Sequence, residues 1–153
     1  HYYVLHDVSL VAKPLGWANA VKGCYNSNKA DRIVGERNFG GEMVEATIRS
    51  ASKEHVSYKD VSASRGKAVR AEPIAALYER GLVHHVGSFA RLEDELCNWV
   101  PDGGGNSPNR LDALVWAMKE LSVNSLGLGV VSERKDSAWR EEGVLAHAQR
   151  RGV

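Results

Sequence analysis

Residues 32–44 read RIVGERNFGGEMV, and the order of residue types in this stretch decides the fold. Asp31 to Glu36 is a short apolar run bounded by turn residues, the pattern of a buried strand. Side chains alternate along a strand, so Val34 and Glu36 share one face and Glu36 stands at the carboxyl end. Gly40 and Gly41 let the chain turn, and Met43, Val44, Thr47, Ile48 and Ala51 follow at helical spacing. Strand, glycine turn and helix together make a unit of an α/β domain. The carboxyl edge of an open α/β sheet is also where ligands usually bind. An acid at that corner is therefore either a solvated strand end or part of a site.

The same alternation extends in both directions. Upstream, Tyr2–Leu10 is rich in β-branched and aromatic residues and is expected as a strand. Pro14 then opens a helix carrying Trp17, Ala18, Val21 and Tyr25. Downstream, His55–Ala63 reads as a third strand. Gly66–Gly81, GKAVRAEPIAALYERG, puts Ala71, Ile74, Ala75 and Tyr78 on one helical face and stops at a glycine suited to a C-cap. Pro73 inside it implies a kink or a late helix start. LVHHVG at 82–87 is a fourth strand, and Phe89–Trp99 a further helix. PDGGGNSPN is a loop by composition, delivering Ser107 as N-cap and Pro108 at the first helical position. The stripe Leu111, Leu114, Val115, Met118, Leu121 follows. From Ser122 the stripe is lost and charge dominates, so the domain is expected over residues 1–121, with 122–153 as a tail or peripheral helix.

With 153 residues, 43% hydrophobic and 25% charged, the chain is long enough for one domain with a real core. Twenty Lys and Arg against 19 acids give a net charge of +1, which makes no global argument for nucleic acid or membrane. Any basic surface must be local. Cys24 and Cys97 have no metal-type spacing and read as buried free thiols of a reducing compartment. The sequence has no run of membrane-spanning length and no signal-type leader, so an intracellular, non-secreted protein is expected.

A second acid, Asp112, lies one position off the apolar stripe and early in its helix. The macrodipole alone favours a carboxylate there by ~0.3–1 kcal/mol, a purely structural reason for it. If Asp112 converges with Glu36, however, the two repel unless a cation lies between them, and oxygen-only ligands suit Mg²⁺ or Mn²⁺. Arg65, Lys67 and Arg70 form a local basic cluster, either ordinary charges at a helix start or phosphate contacts for DNA. His84 and His85 are adjacent on a strand, so only one can face any site, and packing roles are expected for both. Trp99 and Trp116 read as core or interface aromatics, and Glu93, Asp94 and Glu95 as a solvated helix face.

Three blocks then combine: IVGERNFGGEMV, ASRGKAVRAEPIAALYERGLVHHVGSFARLEDELCNWVP and SPNRLDALVWAMKEL. In this order the chain resembles the carboxy-terminal nuclease domain of tailed-phage terminase large subunits, from about Tyr2 to Leu121. The resemblance implies an RNase H-like fold, a mixed sheet flanked by helices, and a metal-dependent endonuclease that cuts concatemeric double-stranded DNA. It implies Glu36 and Asp112 as catalytic acids and metal ligands, with two cations about 3.5–4 Å apart. Asn109 stands where many relatives carry a further Asp, as a neutral, weaker ligand. The family's first strand, with its metal-binding Asp, would precede Tyr2. Asp7 is the only early acid and belongs to the second strand of the pattern. By resemblance the partners are DNA, the small terminase subunit and the portal, in the cytoplasm of a bacterial host. No GxxxxGK[ST] motor motif is present. The rival expectation is an inactive prophage remnant that folds, and pairs as a homodimer through an exposed sheet edge, without cutting DNA.

Overall fold

The computed structural model describes residues 1–37, 41–52, 55–64, 66–101 and 108–125. Strands and helices alternate along the chain: β1 (Tyr2–Val4), α1 (Pro14–Ser27), β2 (Ile33–Glu36), α2 (Gly41–Ser50), β3 (Tyr58–Val61), α3 (Lys67–Glu79), β4 (Val83–His85), α4 (Ala90–Asn98) and α5 (Asn109–Ser125). The α/β class is as expected. Gly40, Arg65, Ser107 and residues 126–153 fall outside the described residues. Helix α5 itself continues past Leu121 to Ser125.

The strands form two parallel pairs. β1 pairs with β4, matching Tyr2 to Val83 and Val4 to His85, and β2 pairs with β3, matching Ile33 to Tyr58 and Glu36 to Val61. Parallel neighbours need crossover connections, and α2 supplies the one between β2 and β3. Each pair has its own apolar cluster. Val4, Val83, Ile74 and Leu92 pack with Leu111, Leu114, Val115 and Met118 of α5 around β1–β4. Trp17, Ala18, Val21, Ile33, Ile48 and Val56 pack around β2–β3.

Each described strand is shorter than its sequence pattern suggests, and beyond β1 the chain turns locally. The Asp7 carboxylate accepts the Ser9 backbone N–H at 3.0 Å, a side-chain turn that competes with strand pairing. Helix ends follow the sequence more closely. Pro14 opens α1, and α3 runs on through Pro73. Gly81 has φ +64°, its N–H donates to Tyr78 O at 2.9 Å and that of Leu82 to Leu77 O at 3.0 Å, the two bonds of a Schellman cap.

Two readings need correction, that of Cys97 and that of the Glu93–Glu95 face. Cys97 is exposed, and only Cys24 is a buried thiol; burial pushes Cys24 above its ordinary pKa, with the Asn28 amide acting against it. Asp7 is tied to Arg110 at 2.9 Å, part of a structural network. Glu93 and Glu95 are working contacts, not a solvated face. The Glu93 carboxylate meets His85 Nδ1 at 3.0 Å and accepts the Phe89 N–H, which together hold it below the usual range. Tyr78 completes that chain, its hydroxyl 2.7 Å from His85 Nε2. Glu95 Oε2 accepts the N–H groups of Arg110 and Leu111 at 2.8 and 3.0 Å, capping α5 from another helix.

Candidate active site

Helix α5 is apolar on one side and carries Asp112, Trp116 and Glu120 on the other, spaced by four residues and so stacked on one face. All three are buried, and this face is held by cations from β3, from α3 and from Arg32 just before β2. Glu120 binds Arg32 Nη1 at 2.8 Å and Lys59 Nζ at 2.6 Å, fastening the distal part of α5 to the start of the β2–β3 pair. Burial pushes the Glu120 carboxyl up, but Lys59 and Arg32 outweigh it and the net shift is downward.

Asp112 is 5% exposed in the first turn of α5. Arg70 Nη2 donates to its Oδ1 at 2.8 Å, and Lys67 Nζ lies 3.3 Å from its Oδ2. Both cations come from the first turn of α3, which follows β3 after a short connection. The Arg70 guanidinium also lies 4.9 Å from the centroid of the Trp116 ring, with Lys119 at 5.0 Å. Trp116 is thus a buried platform for cations within the protein. Its indole N–H has no hydrogen-bond acceptor among the described residues.

Glu36 closes β2 and is 8% exposed, so it is not a solvated strand end. It shares the carboxyl end of the pair with Val61, and Arg37 N–H extends the ladder to Val61 O at 2.6 Å. Gly35 is demanded by packing, since a Cβ there would fall within 2.8 Å of the Tyr58 ring. Glu120 anchors α5 near the other end of the pair, at Arg32 and Lys59. From Arg32 to Glu36 the strand advances ~13 Å at ~3.3 Å per residue, and from Glu120 back to Asp112 the helix rises ~12 Å at ~1.5 Å per residue. Lys67 and Arg70, which hold Asp112, follow the end of β3 by six and nine residues along the chain.

A domain model described as a terminase RNaseH-like domain matches residues 2–121. The chain belongs to the terminase RNase H-like family. Comparison with curated proteins and with solved structures gives no match. Among the described residues, the mixture of five helices and short parallel strand pairs is consistent with an RNase H-like fold lacking some strands. No helix among the described residues of this terminase domain is long and apolar enough to cross a membrane.

Of the residues singled out in the sequence, Asp112, Lys67 and Arg70 come together, Asn109 is half-buried one turn before Asp112, and Arg65 lies outside the described residues. Arg70 is 8% exposed, so in this arrangement it faces the carboxylate and the indole and not solvent. Sequence reading missed Glu120 and the Trp116 platform, although their spacing from Asp112 was visible. Among the described residues, no three His, Cys, Asp or Glu side chains are grouped to hold a metal. The oxygen donors Glu36 and Asp112 fit in kind a single hydrated Mg²⁺ or Mn²⁺, which needs one or two carboxylates, and do not by themselves make a two-metal centre.

Proposed function

We propose that this chain is the DNA-cleaving domain of a phage-type packaging terminase, hydrolysing phosphodiester bonds of double-stranded DNA where Glu36 and Asp112 approach one another. The observation that carries this is a buried acid, Asp112, with two cations on it, within the span that matches the terminase domain. Glu36 and Asp112 would hold Mg²⁺ or Mn²⁺, with Asn109 as a neutral ligand, and a bound cation supplies Lewis acidity and an acidified water. The protein's own groups do the rest. Burial of both acids keeps bulk water from the carboxylates, and Lys67, with its side chain one-third exposed, would meet a phosphate oxygen. Arg65 adds charge on the same segment. DNA, a small terminase subunit and a portal are the proposed partners, in the cytoplasm of a bacterial host.

A second reading has a specific observation behind it. With no third acid grouped at the site among the described residues, a domain that folds and pairs through a strand edge without cutting DNA is the alternative.

Nicking of supercoiled plasmid by the chain in Mn²⁺, Mg²⁺ or EDTA separates the two. The nuclease reading expects metal-dependent nicking that falls to background in Glu36→Ala and in Asp112→Ala. Nicking unchanged in either variant removes that residue from the site, and none from a well-folded wild type favours the inactive reading.

A further inference from the structure

The carboxylate proposed to hold a divalent cation is already engaged by two monovalent ones. Arg70 contacts Asp112 Oδ1 at 2.8 Å and Lys67 lies 3.3 Å from Oδ2, so each oxygen already carries one cation. The side chains of Arg70 and Asp112 are 6% and 7% exposed, which removes most of the solvent screening between them. Arg70 is further held over the Trp116 ring at 4.9 Å, and that contact does not depend on the carboxylate. The guanidinium therefore keeps a partner if Asp112 turns elsewhere.

We propose that Arg70 is a positioning residue that serves as the internal counter-cation of Asp112, competing with a divalent ion for the carboxylate and making its occupancy depend on DNA phosphate. This rests on the reading of Glu36 and Asp112 as metal ligands. The charges motivate it: Asp112 already carries two cations, Arg70 and Lys67. A divalent ion entering alone adds two positive charges beside a buried guanidinium. A phosphodiester arriving with the ion offsets part of that excess, and by linkage each then strengthens binding of the other. Trp116 lets Arg70 yield Asp112 without being left as an unpaired buried charge.

The test uses the whole chain and Mn²⁺ alone, titrated calorimetrically into wild type, Arg70→Gln, Arg70→Lys and Asp112→Asn. An adjacent opposite charge moves a carboxylate equilibrium by ~1–3 pK units, so Arg70→Gln is expected to bind Mn²⁺ about tenfold tighter or more. Arg70→Lys, which keeps the charge, stays near wild type, and Asp112→Asn loses the site. Mn²⁺ affinity in Arg70→Gln equal to or weaker than wild type, with native circular dichroism, overturns the proposal while leaving the metal site standing. Absence of any Asp112-dependent binding in wild type and Arg70→Gln alike defeats the metal-site reading and the proposal with it. Should Arg70→Gln fail to fold, the Arg70 Nε–H resonance of wild type is followed during Mg²⁺ titration. A shift that saturates with the Kd of a parallel Mg²⁺ calorimetric titration is expected, and a stationary resonance while Mg²⁺ binds overturns the proposal.

Discussion

Gly35 shows how a single residue in the strand is dictated by its neighbour across the pair. Tyr58 lies over it, half-buried, its hydroxyl pushed up to about 12 by burial and by Glu45 and Asp60, with Arg37 acting against them. Gly35→Ala is expected to lower stability by about 1–3 kcal/mol through overpacking, measured by urea unfolding. Tyr58→Ala should remove most of that penalty in the double variant. The sequence marks Gly35 only as a weak point in a strand, because the ring that requires it comes from a segment whose register is not written locally. Glu36 was legible as a position but not as an environment. Alternation placed it at a strand end, while its burial comes from the packing of the pair.

At the level of elements, helices were more legible than strands because their signals are local. Proline at the start of α1, the glycine after α3 and the stripe of α5 each act within a turn or two of chain. Gly81→Ala is expected to cost about 1–2 kcal/mol, since φ of +64° is unfavourable for a residue with a Cβ, and thermal unfolding measures it. The cap of α5 has no such local signal. Glu95 reaches it across the α4–α5 contact, so Glu95→Ala should cost about 1 kcal/mol, with α5 amides exchanging faster in hydrogen-exchange measurements. An acid in a run of three reads as solvated until the partner helix is in view. Strand ends failed for a related reason: β1 has the composition to continue, but the chain beyond it turns at Asp7–Ser9, with Asp7 held by Arg110 from α5.

Across the whole molecule, α5 is the member both halves share, apolar toward β1–β4 and ionic toward β2–β3. Its stripe revealed only the first side. The Glu120 clamp links the halves and carries a pH dependence. Its carboxyl is lowered from an ordinary value of 4.5, so the unfolded chain takes up a proton first as pH falls. The clamp's contribution is whole above that value and is lost as pH drops through the lower folded value. Glu120→Gln should therefore show a shallower loss of stability than wild type below about pH 4.5, read from urea midpoints across acid pH. The family was legible because three blocks keep one order along most of the chain. The ion pairs around Asp112 were not, because they join α3 to α5 across a long stretch of sequence. The central claim is that Glu36 and Asp112 act as one unit in metal-dependent cleavage. A double-mutant cycle on Mn²⁺-dependent plasmid nicking, with Glu36→Gln, Asp112→Asn and the pair, tests it most directly. The account predicts that either single change costs nearly as much as both together. Losses that multiply independently, or nicking that survives the double change, would contradict it.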